Sequence, residues 1–329
     1  METQSNNLLE VKHISVAANE IVRYIKDRQT KKVTSLATRW NKFNRLCMGG
    51  IEPNAIYTIA GISGSGKSSF VNTLETDLID INPNHDIVIL SFNFEMMSSR
   101  QVGRKLSYKL RKTTSELYSS SEIINNEEVA EVESVANDIS HYPIYYVDTP
   151  GTVEQIDNTI KYFQSTLAKD KWLVIILDHL LLTKNKGGDS ERIVISDLQK
   201  VFMQAKKVGK TSIIQLSQMN RNIEESDRIK NPSLHYPMRS DLSTSDSIFQ
   251  ASDYVIVIHR PEILGITEYG VKHLPVKDMV YMHFLKNREG DVKILRFIND
   301  LKYNNLKEPP EDTKVAELPQ LDFKENNLN

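Results

Sequence analysis

One cysteine in 329 residues, Cys47, excludes an internal disulfide and a cysteine-based structural zinc site, and it suits a reducing compartment. No run of about 18 apolar residues occurs, so no membrane-spanning helix is expected. The opening METQSNNLLE lacks the basic and apolar regions of an export signal. The expectation is a cytoplasmic protein with no membrane role. Neither sign of charge dominates: 41 Lys and Arg stand against 43 Asp and Glu, a formal net charge of −2. A surface uniformly dedicated to nucleic acid is therefore not expected, although individual loops can still gather basic residues. What is present, 40% hydrophobic and 26% charged residues, is the make-up of a folded globule. The length suits one large α/β domain with appendages, and the sequence carries no internal repeat.

Residues 1–37 read as a polar tail followed by a short amphipathic helix, with apolar positions at Val16, Ala17, Ile21, Val22 and Ile25. The basic stretch Lys26 to Lys32 sets that helix apart, so it either folds back on its own core or docks on another subunit. From Ala55 onward, short β-rich runs alternate with longer helical ones, the pattern of a mainly parallel α/β sheet with helices on both faces. Strands are expected at Ile56 to Ala60, Ile87 to Phe92, Ile144 to Val147, Leu173 to Leu177, Ser212 to Leu216 and Tyr254 to Ile258. Met279 to Leu285 and Lys293 to Ile298 read as a closing hairpin. Several runs are continuously apolar, as strands covered on both sides require. Helices are expected at Ser68 to Leu78, Arg100 to Arg111, Val153 to Leu167 and Ile193 to Val208. Residues 38–303 thus form the principal domain, and 304–329, rich in Glu, Pro, Lys and Asn, read as a mobile tail.

Gly61-Ile-Ser-Gly64-Ser-Gly66-Lys67-Ser68 fits the phosphate-loop pattern in full, directly after an apolar strand and before a helix. By average composition its four fixed positions would coincide in roughly one chain in a hundred of this size, before the flanking strand and helix are required. Glycines let backbone N–H groups converge on phosphate oxygens, Lys67 reaches the β and γ phosphates, Ser68 ligates magnesium, and the helix dipole adds attraction. The expected ligand is ATP with Mg2+, held by Gly61, Ser63, Gly64, Ser65, Gly66, Lys67, Ser68 and Ser69. The run Leu173-Val-Ile-Ile-Leu177-Asp178 ends an apolar strand in an acid, the place for a carboxylate that holds the magnesium shell, so Asp178 joins Ser68 as an expected metal ligand. Asp148-Thr-Pro-Gly151 resembles a GTPase switch in isolation. No guanine-reading Asn-Lys-x-Asp motif follows it, so Asp148 is read as the turn opening a helix.

Around this core the sequence resembles the motor domain of DnaB-type replicative helicases, a RecA-like fold. Asn93-Phe94-Glu95-Met96 is similar to their Ser-Leu-Glu-Met, and Asp148-Thr-Pro-Gly151 to their Asp-Thr-Pro-Gly. Asp178-His-Leu-Leu-Leu182 is similar to Asp-Tyr-Leu-Gln-Leu, and Ser217-Gln218-Met-Asn220-Arg221 to Ser-Gln-Leu-Asn-Arg. Lys286-Asn-Arg288-Glu-Gly290 is similar to Lys-x-Arg-x-Gly. The resemblance implies that Glu95 activates the attacking water, Gln218 senses the γ phosphate, and Lys286 with Arg288 reaches into a neighbour's nucleotide site. It covers about Thr38 to Ile298, and it implies a homohexameric, ATP-driven DNA helicase on single-stranded DNA in a bacterial or phage-infected cell. The collar that recruits primase in bacterial relatives has no counterpart, so a primase or loader partner stays unassigned. The family's Arg-Glu-Ser-Gly is replaced by Ser243-Thr-Ser-Asp246, which weakens expected DNA contact. Lys184, Lys186, Arg192, Arg221, Arg228, Lys230 and Arg239 are the basic candidates to contact strand phosphates instead. Two alternatives share the phosphate loop: a RecA- or KaiC-like ATPase acting as a recombination filament or regulatory ring, and an ATP-gated interaction protein without unwinding.

Overall fold

The apolar runs become strands because helices shield both of their faces. The computed structural model describes residues 11–184, 187, 190–243 and 245–310. The chain divides into two units, Met1–Ser35 and Leu36–Asn329, a break slightly ahead of the boundary expected at 37/38. Within the first unit, α1 (Ile14–Gln29) begins at His13, whose ring accepts the Ser15 N–H, and buries none of its residues. Its apolar positions Val16, Ile21, Val22 and Ile25 are all exposed.

The second unit holds a nine-stranded sheet. Its strands are β1 (Ile56–Gly61), β2 (Ile87–Asn93), β3 (Ile144–Val147), β4 (Trp172–Asp178), β5 (Lys210–Gln218), β6 (Tyr254–His259), β7 (Met279–Asn287), β8 (Ile294–Asp300) and β9 (Asn305–Lys307). They lie in the order β3-β2-β4-β5-β1-β6-β7-β8-β9. The first six are parallel neighbours and the last three antiparallel. The helices are α2 (Asn41–Leu46), α3 (Lys67–Asp80), α4 (Ser98–Leu110), α5 (Thr114–Tyr118), α6 (Asn126–Ser140), α7 (Val153–Ser165), α8 (Glu191–Ala205), α9 (Ser226–Lys230) and α10 (Ser245–Ala251).

The two-residue period of β4 sorts the core into two layers. Val174 and Ile176 join Phe70 and Leu74 of α3 on one face. Ile175 and Leu177 join Ile160 of α7 and Leu198 and Phe202 of α8 on the other. Each such side chain contributes about 2 kcal/mol by leaving water. Trp40 stacks on Phe70 with ring centroids 4.7 Å apart.

The fold corrects the readings of the C-terminal tail and of Asp148. Residues 304–310 are not a loose tail: Asn305–Lys307 close the sheet as β9, Leu306 is buried, and its carbonyl accepts the Trp40 indole N–H at 2.8 Å. The remainder of the expected tail, from 311, lies outside the described residues. Asp148 does not open the helix that follows it. That helix, α7, is capped by Thr152, whose hydroxyl accepts the Gln155 N–H. Asp148 instead accepts from Ser98 at the start of α4, a helix from a different part of the chain.

Candidate nucleotide site

In a parallel sheet, loops at the strands' C-terminal ends meet along one edge, and here that edge gathers the chemistry. Gly61 of β1 pairs in register with Gln218 of β5, and Asn93 of β2 with Asp178 of β4. The phosphate loop runs from Gly61 into α3, whose N-cap Gly66 adopts a left-handed φ of 105° that a side chain would strain. A Cβ on Gly61 would lie 2.4 Å from the Ser65 hydroxyl and 2.6 Å from the Ile258 carbonyl. The loop's curl therefore depends on glycine at that place.

Lys67 bends back over this loop, its Nζ donating to the carbonyls of Gly61 at 2.7 Å and Ile62 at 2.9 Å. Burial lowers its pKa, opposed by the charges of Asp178 and Glu95. Burial, reinforced by Glu95, pushes Asp178 up to about 6, while the Ser68 hydroxyl, Lys67 and Arg104 pull it down. A buried carboxylate beside a second acid is under-compensated within the protein, which suits it to a divalent cation. Glu95 stands just past β2, more than half exposed, on a turn held to β4 by the Phe94 N–H donating to the Asp178 carbonyl at 2.8 Å.

Three buried polar atoms in the elements around this cleft lack a hydrogen-bond partner: the Ser65 hydroxyl, Asn93 Nδ2 and Arg104 Nη1. Such atoms are costly unless something satisfies them. Together with the glycine cradle they fit an anionic, metal-bearing ligand of the triphosphate kind. Arg104 escaped the sequence reading because an arginine within a helix reads as a solvated charge. Its link to the site is tertiary: burial lowers its pKa, and Asp178 and Glu95 raise it.

Lys286 and Arg288 are not part of this assembly. Strand β7 runs antiparallel to β6, Asn287 opposite Tyr254, which places both cations at the far edge of the sheet, roughly 13 Å along the strand from the loop. There Lys286 donates to the carbonyls of Phe249 at 2.6 Å and Gln250 at 3.2 Å, and half-exposed Arg288 lies 3.4 Å from Asp253.

The basic candidates divide as well. Lys184, Arg192, Arg221, Lys230 and Arg239 are exposed, although Arg239 pairs with Asp246 at 3.0 Å and lies over the Phe249 ring. Lys186 lies outside the described residues. Arg228 is a correction to the expectation of a phosphate contact. It is buried, pairs with Asp241 at 2.5 Å and donates to the carbonyls of Leu234 and Tyr236, so it holds the loop together rather than presenting a charge to a strand. That loop closes on the sensor position, for the Ser243 N–H donates to the Gln218 carbonyl at 3.2 Å.

Residues 35–308 match the family described as the DnaB-like helicase C terminal domain. The chain belongs to that family. Curated relatives of this DnaB-like domain include "Replicative DNA helicase DnaB" of Mycoplasma genitalium, 30% identical over 69% of this chain and 47% of the relative. The protein of the same name from Buchnera aphidicola is 25% identical over 81% of this chain and 54% of its own length. A "Probable replicative DNA helicase" of Trieres chinensis is 23% identical over 77% and 53%. The DnaB-like chain thus spans about half the length of the curated relatives it matches. Among solved structures, one described as an "ATPase Domain" superposes with a TM-score of 0.75 at 19% identity, covering 92% of this chain and all of that one. A "DnaB-Like Replicative Helicase" described with "Its Interactions With Primase" gives 0.75 at 19% over 93% and 69%. These likenesses establish the RecA-like fold. No helix among the described residues of the DnaB-like chain is long and apolar enough to cross a membrane.

Proposed function

We propose that this chain is the motor of an ATP-driven DNA helicase that assembles as a ring, a hexamer by family resemblance, and moves on single-stranded DNA in a bacterial or phage-infected cell. One observation carries the reading: Lys286 and Arg288 stand at the sheet edge opposite their own phosphate loop. A site built from one chain lacks them, and a second copy is the natural source. The exposed apolar stripe of α1 is a surface such a neighbour would cover.

Magnesium-bound ATP supplies the bond to be broken and the cation that offsets its charge. Gly61 to Ser69 would hold the phosphates through backbone N–H groups and Lys67, and Ser68 with Asp178 would hold the cation. Glu95, at the mouth of the cleft, orients a water and takes its proton. Gln218 reads the γ phosphate and passes the change to residues 220–242 through the backbone bond at Ser243. Lys184 and Arg192, the latter in the first turn of α8, and Arg221 and Lys230 in the segment after β5 then grip or release strand phosphates.

Mixing Arg288→Ala chains with Lys67→Ala chains tests the shared site. Each variant alone is expected to be inactive, whereas mixed rings contain some complete interfaces and recover ATPase activity. No recovery at any ratio would sink the shared-site reading. A second reading, an ATP-gated interaction protein without DNA stepping, is favoured by Asp246, which engages Arg239. ATPase turnover indifferent to single-stranded DNA and to forked duplex would select it.

A further inference from the structure

The side chain of His179, next to Asp178, lies between Glu95 and Gln218 and has no task in the scheme above. It is 7% exposed, so its ring cannot swing out to solvent. Its Nδ1 accepts the Leu181 N–H at 3.3 Å, capping the short 3-10 turn Leu180–Leu182. With that lone pair engaged, the proton of the neutral imidazole resides on Nε2. Nε2 lies 3.9 Å from a carboxylate oxygen of Glu95 and 3.5 Å from the terminal amide of Gln218. The amide's oxygen and nitrogen exchange places by a half-turn, so Gln218 can offer an acceptor there. One N–H thus faces two acceptors, and it can be given fully to only one of them.

We propose that His179 is a positioning residue that couples the base to the sensor, offering its single Nε2 hydrogen either to Glu95 or to Gln218. When the Gln218 amide turns toward the ring, Glu95 is released toward the cleft. When Gln218 turns away, the ring draws Glu95 back. Glu95 is more than half exposed and free to move, while the ring is fixed by burial and by the Leu181 bond, so the histidine is the stationary member. The coupling needs no backbone motion, only a choice of acceptor. This inference rests on the nucleotide-site reading above.

Two amide variants, each reproducing one ring nitrogen, separate this role from a structural one. His179→Asn keeps an acceptor at the Nδ1 position and so keeps the cap, but it falls short of Glu95 and Gln218. His179→Gln keeps a donor at the Nε2 position and loses the cap. The expected result is that Asn lowers kcat by roughly ten- to hundredfold, the scale of a misplaced reacting group, with KM for ATP changed by less than about twofold. Gln should retain most of kcat. A second readout is independent of turnover: the change in affinity for a fluorescent single-stranded oligonucleotide when a non-hydrolysable ATP analogue is added. That change should be lost in Asn and kept in Gln. The opposite order, with Asn near wild type and Gln impaired, would show that His179 serves only as a turn cap and would overturn the proposal. Equal behaviour of both variants and wild type would overturn it too. If the wild-type protein itself does not bind the oligonucleotide, the helicase reading fails, and the split between kcat and KM in the two variants still decides the role of His179.

Discussion

Asp148 fastens the helix that follows Glu95: its carboxylate accepts the Ser98 N–H at 3.0 and 3.1 Å and the Ser98 hydroxyl at 2.8 Å. A carboxylate at a helix N-terminus satisfies an orphan donor and complements the dipole. Here it also joins the end of β3 to the turn carrying Glu95. Asp148→Ala is expected to cost about 1 kcal/mol of stability, the scale of losing a side chain that caps a helix, although here the cap comes from outside the helix, whose own N-cap is Met97. Turnover should fall more than nucleotide affinity, because the loosened turn carries Glu95 and not the phosphate loop. Asp148→Asn, which keeps an acceptor, should lie between. Denaturant unfolding beside steady-state ATPase measures both, and unchanged kcat in Asp148→Ala would show that the Glu95 turn is held by other means.

Arg228 and Asp241 form a buried pair within the loop after Gln218. Removing one member strands the other charge, so Arg228→Ala should cost about 3–5 kcal/mol, whereas Arg221→Ala on the exposed face should stay within about 0.5 kcal/mol. DNA binding is expected to discriminate in the other sense. Arg221→Ala should reduce the slope of log affinity against log salt by about 1, and Arg228 should contribute no slope of its own. An Arg228→Ala protein that melts with wild type yet flattens the salt dependence would contradict the buried pairing.

How much of this was readable from sequence follows the range of each interaction. The phosphate loop is a local pattern between a strand and a helix, and β1, β2, β4 and β6 announce themselves as apolar runs because both of their faces are covered, whereas β3 and β8 are only partly buried and read from their β-branched and aromatic residues. The helix α6, not among the helices expected above, carries a local signal too: Asn125 and Glu128 form a reciprocal cap, and acids occupy its first turn. The strand β9 could not be read, since Leu306 is its one apolar residue and its indole partner Trp40 lies far away in sequence. The contrast between buried Arg228 and exposed Arg221 is likewise invisible in a string, because both are arginines in a polar loop. The roles of Arg104 and His179 depend on which strand ends adjoin, a property of the sheet order.

Acid should destabilise the domain through two buried imidazoles. His259 is fully buried with both ring nitrogens unpartnered, and burial, then Arg228 and His235, lowers its pKa to about 3. His283, buried beside it, is lowered well below its usual value by burial and then by His259. An unfolded histidine titrates near 6.5, so below that pH the unfolded chain binds protons that the fold refuses. Stability contributed by the neutral ring is intact above about pH 6.5 and is lost as pH falls toward about 3. At pH 5 the loss from His259 is about 2 kcal/mol. His259→Phe should be at least as stable as wild type at pH 7, having removed two unpaired polar atoms, and should bind one proton fewer on unfolding at pH 5. Unfolding midpoints across pH 5 to 8 give that difference; parallel curves for wild type and variant would exclude His259 as the source.

Nucleotide binding should stabilise the fold by mass action, and Lys67 decides how much. With ligand at one hundred times its dissociation constant the gain is about 2.7 kcal/mol. In the present structure the Lys67 ammonium donates only to the Gly61 and Ile62 carbonyls, and the buried Asp178 carboxylate that it helps to offset keeps the Ser68 hydroxyl and Arg104 after its removal. Lys67→Ala should therefore melt close to wild type without ligand and lose most of the shift produced by magnesium and ATP. Gly66→Ala should behave differently. Its left-handed φ of 105° disfavours a side chain, and the added Cβ would come within 2.9 Å of Leu301. The ligand-free protein is then already destabilised by about 1 kcal/mol, from strain alone. Melting with and without nucleotide separates the two effects. A Lys67→Ala protein that keeps the full nucleotide shift would mean that the triphosphate is held somewhere other than this loop.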